Sequence, residues 1–226
     1  MNVELLQYPE NPERAVATAA RLCYAPVGAK ELMETMPEER VKSVLSTIMS
    51  SGHFSTLEHV SYTFAVDGVS RALTHQLVRH RLASFNQQSQ RYVKFTDDLN
   101  VVKPETVAQN EETNRVFDEA VDAVVDAYHK LLEAGVPAED ARYLLPNAAE
   151  TKIVITMNIR ELLHFFSLRC CNRAQWEIRE LANKMLELVR PTAPFIFMDA
   201  GAPCVRGACP EGKMTCGRPY PRVTRE

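Results

Sequence analysis

One polar stretch decides how this sequence is interpreted: Arg79-His80-Arg81-Leu82-Ala83-Ser84-Phe85-Asn86-Gln87-Gln88-Ser89-Gln90-Arg91-Tyr92. Its three guanidinium groups stay charged at any relevant pH, and each presents a planar fork that matches two phosphate oxygens. The hydroxyl and amide side chains between them add neutral donors and acceptors that suit a sugar or a base edge. The stretch therefore predicts a nucleotide site, and a solvated basic turn is the alternative.

The composition limits the class of protein. The chain has 226 residues, of which 46% are hydrophobic and 24% charged, so it can bury a core as one large domain or two small ones. A net charge of −3 argues against a broad nucleic-acid-binding surface, which normally carries a strong excess of cations. No apolar run approaches the roughly 20 residues that cross a bilayer, and the start does not resemble a signal peptide. We expect a cytoplasmic protein.

Predicted strands and helices are interspersed along the chain, which indicates an α/β or α+β fold. Strands are predicted at 3–6, 61–66 and 151–158, with a turn at Asp67-Gly68 after the second. Helices are predicted from Asn11-Pro12, from Pro37 to Gly52, from Ser70, over 110–134, from Asn158 and over 174–190. The segment 83–89 is too polar for a core element and is expected to form a loop.

The stretch at 79–92 resembles the signature of flavin-dependent thymidylate synthases, in which Arg-His-Arg is followed by Ser and then by Ser-x-Arg. Three further segments resemble the same family in the same order: 52–59, 142–146, and 158–169 with 174–177. The resemblance implies a single catalytic domain over 1–200, with a mixed sheet flanked by helices. A tail rich in Cys, Gly and Pro follows over 201–226.

The resemblance also implies residue roles. The FAD-binding residues would be Ser55, Arg79, His80, Arg81, Gln87, Asn158, Arg160 and His164. The dUMP-binding residues would be Gln76, Arg79, Gln87, Gln88, Ser89, Gln90, Arg91, Arg142 and Arg169. Of these, Arg169 would be catalytic, engaging the uracil and favouring its ionisation at N3. Two positions depart from the common pattern: Gln87 stands where many relatives have Glu, and His164 where many have Asn.

The implied reaction is the conversion of dUMP to dTMP, with methylenetetrahydrofolate as carbon donor and FAD reduced by NADPH. The family is homotetrameric, and residues 87–91 would bind dUMP from a neighbouring subunit. That assembly bears on one geometric problem: on a regular helix Arg160 and Arg169 lie about 180° apart and cannot share a ligand unless the chain bends or different subunits contribute. Purely structural roles remain alternatives for two residues. Asn158 could act as a helix cap, and Arg142 could neutralise the carbonyl groups at a helix C-terminus.

Three of the six cysteines, Cys204, Cys209 and Cys216, lie in the tail. They would bind zinc if Cys170 or Cys171 supplied a fourth ligand, although the spacing is not that of common zinc knuckles and free thiols are the alternative. Two other classes of protein fit the sequence less well. A nucleic-acid-binding module conflicts with the acidic balance, and a zinc hydrolase lacks a His-Glu-x-x-His motif.

Overall fold

The computed structural model describes residues 1–95 and 99–223. The strands are β1 (Asn2–Gln7), β2 (Ser61–Ser70), β3 (Ala83–Gln87) and β4 (Glu150–Asn158). The helices are α1 (Pro12–Leu22), α2 (Ala29–Thr35), α3 (Glu38–Ser51), α4 (Arg71–Leu77), α5 (Glu105–Ala108), α6 (Glu111–Glu133), α7 (Ala138–Ala141), α8 (Ile159–Arg169), α9 (Trp176–Val189) and α10 (Pro194–Phe197). The predicted α/β class is confirmed. None of these helices in the described chain is long and apolar enough to cross a membrane.

The four strands form one antiparallel sheet in the order β1-β2-β4-β3. The pairing of β2 with β4 is fixed at its ends by two backbone hydrogen bonds, from Ile159 N to Val60 O and from Arg71 N to Ala149 O. Burial alternates along β2 up to Val66, with Tyr62, Phe64 and Val66 buried, as the alternation in the sequence predicts; Val69 and Ser70 are then both buried.

The predicted turn at Asp67-Gly68 is wrong, because β2 continues through both residues to Ser70. Gly68 adopts a φ of 70°, which glycine tolerates and which is typical of a bulge in a strand rather than of its end. A Cβ at this position would lie 3.2 Å from the backbone nitrogen of Met1. Gly68 therefore lets the strand bend where the chain start passes close to it.

The predicted loop at 83–89 is also wrong in its first part, since Ala83–Gln87 form β3. This strand lies at the edge of the sheet beside β4, so its backbone groups are paired although its side chains are polar. Just beyond it, the amide of Gln88 still donates to the carbonyl of Lys152 over 2.9 Å. Backbone pairing, which side-chain polarity does not report, decides this element.

Side-chain capping bonds mark the starts of several helices. The side chains of Ser70, Asn110 and Asn158 each accept a hydrogen bond from a backbone amide three residues further on, at 3.0, 3.1 and 2.9 Å. Each satisfies an amide that has no partner within its helix. Asn11 precedes α1 as predicted, but its side chain makes no capping bond. Gly52 ends α3 with a φ of 72°, as expected of a glycine stop.

The chain divides into two compact units, each assembled from separate segments. The first, which we call the nucleotide unit after the ligand that the resemblance implies for its residues, comprises 1–2, 66–79 and 86–154 without 96–98; its buried side chains include Leu73, Leu77 and Tyr128. The second, which we call the flavin unit for the same reason, comprises 3–65, 80–85 and 155–223 of the described chain. Its core contains an aromatic cluster in which Phe166 packs against Phe165 and Phe197, and Phe197 against Tyr62.

Candidate active site

The predicted site residues fall into two groups according to the unit that holds them. The flavin unit contains Ser55, His80, Arg81, Asn158, Arg160, His164 and Arg169. The nucleotide unit contains Gln76, Arg79, Gln87, Gln88, Ser89, Gln90, Arg91 and Arg142. The arginine stretch at 79–92 thus contributes to both units: the chain leaves the nucleotide unit after Arg79 and returns to it at Asn86.

His80 is the buried centre of the first group, with only 4% of its surface exposed. Its Nδ1 lies 3.0 Å from Oε1 of Glu161, and its Nε2 accepts a hydrogen bond from Nε of Arg169 over 3.1 Å. Burial lowers the pKa of His80 below its usual range, against the opposing effect of the Glu161 hydrogen bond. The imidazole is therefore neutral near pH 7, and both of its ring nitrogens are engaged.

Arg169 is half-buried at the end of α8, and burial alone lowers the pKa of its guanidinium. Among the described residues, no carboxylate forms an ion pair with it. A half-buried cation without an acidic partner costs solvation energy that a polar or anionic ligand would recover. Arg169 therefore has the properties expected of a ligand-binding arginine.

The exposed cations of the first group have different partners. Arg160, at the start of α8, pairs with Glu58, and both side chains are about half exposed. Arg81 is exposed, and so is His164, whose ring meets that of His80 edge-on at 5.9 Å between centroids. Arg160 contacts Glu58 and Arg169 contacts His80, and whether the two share a ligand stays a prediction.

Ser55 lines a cavity of about 350 Å³ in the flavin unit. The same cavity is also lined by Arg21, Arg40 and His53, of which only His53 lies in a segment, 52–59, that resembles the family. Guanidinium, imidazole and hydroxyl groups are the donors that bind phosphate oxygens. The donor set therefore fits the diphosphate of a dinucleotide cofactor such as FAD.

In the nucleotide unit, Glu139 connects two of the predicted dUMP ligands. Its carboxylate pairs with Arg91 at 2.5 Å, and its backbone carbonyl accepts from Nε of Arg142 at 3.0 Å. Burial, and secondarily the charge of Arg142, lowers the pKa of Arg71. Two guanidinium groups that repel one another in this way favour an anion near them, and Arg71 and Glu139 are residues that the sequence pattern did not single out.

Gln87 is anchored within the nucleotide unit. Its Nε2 donates to Oγ1 of Thr74 at 3.1 Å and to Oγ1 of Thr151 at 3.3 Å, and both threonines are buried. The hydroxyl of Thr74 itself donates to the carbonyl of Arg71, so Thr74 accepts from Gln87. A glutamate at position 87 would offer no donor here, which explains in physical terms why an amide suits this chain.

The tail cysteines line a cavity of about 420 Å³ together with Cys171 and Arg169. Within 1–95 and 99–223, however, no group of three or more His, Cys, Asp or Glu side chains is placed to hold a metal ion. The zinc hypothesis for Cys204, Cys209 and Cys216 therefore receives no support from the geometry. All six cysteines are free thiols, and burial raises the pKa of Cys170 to about 12.

Comparison with known proteins defines the family. A family model described as thymidylate synthase complementing protein matches residues 4–195. The flavin-dependent thymidylate synthase of Geobacter sulfurreducens is 59% identical over 219 residues, covering 96% of this chain and 94% of its own length. That of Clostridium tetani is 50% identical over 234 residues, with coverage of 96% and 94%.

A solved structure has the same fold: the UMP/dUMP methylase PolB from Streptomyces cacaoi, bound with 5-Br dUMP, has a TM-score of 0.73 and 27% identity. The match covers 87% of this chain and 93% of that one. Fold and site thus define a flavin-dependent enzyme of the nucleotide methylases. This chain belongs to the flavin-dependent thymidylate synthase family, as the resemblance at 79–92 implied.

Proposed function

We propose that this enzyme converts dUMP to dTMP, with methylenetetrahydrofolate as carbon donor and FAD, reduced by NADPH, as reductant. Family membership and the relative described as a UMP/dUMP methylase support the reaction class. One observation carries the proposal at the level of residues: Arg169 is half-buried, has no acidic partner among the described residues, and is held through Nε.

Arg169 is the catalytic residue of this proposal. A guanidinium beside a pyrimidine carbonyl stabilises negative charge that develops on the ring, and it favours loss of the proton at N3. The group is already desolvated and oriented before the substrate arrives, so little reorganisation is needed in the transition state. Its charge does not titrate near neutral pH, which suits a residue that supplies an electrostatic field rather than a proton.

The FAD-binding residues of the proposal are Ser55, Arg79, Arg81, Gln87, Asn158, Arg160, His164 and the backbone at His80. The donors around Ser55 fit its phosphates, and the free Nδ2 of Asn158 fits a carbonyl acceptor. When bound, the reduced flavin supplies the electrons that convert the transferred carbon unit into a methyl group. The protein supplies orientation, positive charge and exclusion of water.

The dUMP-binding residues of the proposal are Gln76, Arg79, Gln87, Gln88, Ser89, Gln90, Arg91, Arg142 and Arg169. Arg91 and Arg142 both contact Glu139, the first through its carboxylate and the second through its backbone carbonyl, which brings the two guanidinium groups to one residue. Such a pair suits a phosphate monoester, whose oxygens accept paired N–H donors. Arg71 adds a third cation to this group, and its lowered pKa supports an anionic ligand.

No cysteine thiolate is part of the proposed chemistry. Cys170, the thiol next to Arg169, is buried, and its pKa of about 12 leaves a negligible thiolate fraction at pH 7. A buried thiol of this kind is a poor nucleophile toward a uracil ring. This supports a mechanism without a covalent enzyme–pyrimidine bond through Cys170.

The proposal includes a homotetramer with sites at subunit interfaces, as the family resemblance implies, so that Arg160 and Arg169 need not contact the same ligand within one chain. A catalytic part over 1–200 and a separate tail over 201–226 also remain predictions: the family model ends at residue 195, whereas the match to the Geobacter sulfurreducens relative covers 96% of the chain. A cytoplasmic location, expected from the sequence, stays a prediction as well.

The direct test supplies purified protein with dUMP, methylenetetrahydrofolate, FAD and NADPH and measures dTMP by chromatography. Four parallel reactions each omit one reactant. We expect dTMP in the complete mixture only, together with a visible flavin absorption band that bleaches when NADPH is added under anaerobic conditions. Protein that cannot be reconstituted with FAD, or that forms no dTMP in the complete mixture, contradicts the proposal.

A further inference from the structure

Three side chains of the flavin unit form a connected hydrogen-bonded series that ends at the proposed catalytic residue. Glu161 and His80 have side-chain exposures of 5% and 3%, and Nδ1 of His80 lies 3.0 Å from the Glu161 carboxylate. On its other side, the His80 ring contacts Arg169 through Nε2 at 3.1 Å. An edge-on contact with Phe165, at 4.9 Å between centroids, further restricts rotation of the ring.

The proton positions in this series follow from donor chemistry. Nε of an arginine carries a hydrogen and can only donate, so Nε2 of His80 must be the acceptor. The neutral ring then carries its hydrogen on Nδ1 and donates it to the Glu161 carboxylate. Glu161 thus selects the tautomer of His80 that can receive Arg169. With the opposite tautomer, two N–H groups would face one another and the contact with Arg169 would be lost.

The series begins and ends on the same helix. Glu161 lies in the first turn of α8, where the side chain of Asn158 accepts from its backbone amide at 2.9 Å. Arg169 is the last residue of α8. His80 therefore bridges the two ends of one rigid element. Neither terminal nitrogen of Arg169 makes a protein hydrogen bond within the described residues, so both stay available to a ligand.

We propose that Glu161 and His80 are positioning residues, which fix the guanidinium of Arg169 by its Nε and leave its two terminal nitrogens for the pyrimidine. This inference rests on the proposed function. It also changes the role expected for His80: with both ring nitrogens engaged inside the chain, any contact of His80 with flavin would be made by its backbone. Holding a long arginine side chain in advance removes an ordering cost from substrate binding.

Two substitutions at one position separate positioning from simple core packing. In His80→Gln the side-chain oxygen reaches the place of Nε2 and can still accept from Arg169. In His80→Asn the shorter amide reaches only the place of Nδ1, so it can contact Glu161 but not Arg169. We expect turnover to fall on the order of 100-fold in His80→Asn. In His80→Gln it should fall by no more than about 10-fold. Turnover is expressed per bound flavin in every variant, so that a change in flavin content does not enter the comparison.

A double-mutant cycle on dUMP affinity tests the link to Arg169 directly and does not require turnover. Calorimetry compares wild type, His80→Asn, Arg169→Ala and the double variant. We expect His80→Asn to weaken dUMP binding when Arg169 is present. The double variant should bind dUMP with the affinity of Arg169→Ala, within about two-fold. An effect of His80→Asn that is equally large without Arg169 overturns the inference, as does equal turnover in the Gln and Asn variants.

Two further outcomes are distinguishable. Wild-type protein that neither binds dUMP nor makes dTMP refutes the proposed function, whereas normal wild-type activity with an additive cycle refutes only the positioning role. Should either His80 variant fail to fold, Glu161→Gln replaces it in the cycle, because it keeps the shape and an acceptor oxygen but removes the charge that favours the Nδ1–H tautomer. Turnover equal to wild type in Glu161→Gln overturns the inference.

Discussion

Asn158 has two separable functions in this account, and one pair of substitutions tells them apart. Its Oδ1 accepts the backbone amide of Glu161 at 2.9 Å and thereby caps α8. Its Nδ2 makes no hydrogen bond within the described part of the protein and is the group proposed to contact FAD. Asn158→Asp keeps the capping oxygen and removes the donor, while Asn158→Ala removes both.

The expected magnitudes differ for stability and for flavin binding. Loss of an N-cap costs about 1 kcal/mol, which lowers Tm by about 2–4 °C in a chain of this size. Asp caps as well as Asn, so Asn158→Asp should stay within about 0.5 kcal/mol of wild type. Both variants lose the donor, and one hydrogen bond of roughly 1–3 kcal/mol corresponds to FAD binding weakened about 5- to 150-fold.

The assay has two parts. Thermal unfolding is followed by circular dichroism on flavin-free protein, so that ligand binding does not contribute to Tm. FAD affinity is then measured by quenching of flavin fluorescence. Asn110→Ala is the matched control, since Asn110 caps α6 in the same way but has no proposed flavin contact. It should lose stability and keep its FAD affinity. If Asn158→Asp binds FAD as tightly as wild type, the proposed contact is refuted. If the Tm of Asn158→Asp is as low as that of Asn158→Ala, the capping argument is refuted.

Three further predictions concern the flavin unit. Tyr62 is fully buried, and its hydroxyl must donate to Thr192 Oγ1 at 2.9 Å, because the Thr192 hydroxyl already donates to Val189 O. Tyr62→Phe should therefore lower the free energy of unfolding, measured in urea, by about 1 kcal/mol. An unchanged urea midpoint would contradict this contact. At pH 8, iodoacetamide followed by mass spectrometry should label exposed Cys23 readily and leave Cys170, with its pKa of about 12, unlabelled in folded protein; rapid labelling of Cys170 would show that the thiol is not buried as described. Because burial lowers the pKa of His80 in the folded state, the unfolded chain takes up the proton first as the pH falls below about 6.5. The contribution of His80 to stability is thus complete above that pH and is lost below it. Between about pH 7.5 and 5.5, the Tm of wild type should therefore fall further than the Tm of His80→Gln. Parallel Tm profiles of the two proteins would contradict the lowered pKa.

Local chemistry explains what the sequence predicted well. Ser70, Asn110 and Asn158 precede apolar residues at helical spacing, and each caps the helix that follows. The alternation at Tyr62, Phe64 and Val66 places one face of β2 in the core, as predicted. In all these cases, residues within a few positions of one another decide the structure.

Features that depend on distant partners were not predictable in the same way. The polar edge strand β3 exists because β4, far along the chain, supplies its hydrogen-bonding partner. The continuation of β2 through Asp67 and Gly68 was likewise not predicted, and there Gly68 lies where a Cβ would meet the backbone of Met1. Glu161 resembles an ordinary acidic residue in the first turn of a helix, and only the fold shows that it is buried beside His80. The residues named by the family signature were found from sequence, whereas Glu139, Arg71 and Glu161, which contact or influence them, were not.

The central claim is that Arg169 activates the pyrimidine of dUMP. Release of tritium from the pyrimidine carbon that receives the methyl group tests it most directly, measured for wild type, Arg169→Ala and Arg115→Ala. Arg115 is an exposed arginine of α6 paired with Glu119, so its removal controls for loss of a charge. We predict wild-type release in Arg115→Ala and a loss on the order of 100-fold or more in Arg169→Ala, with FAD still bound. Tritium release at the wild-type rate by Arg169→Ala would contradict the account.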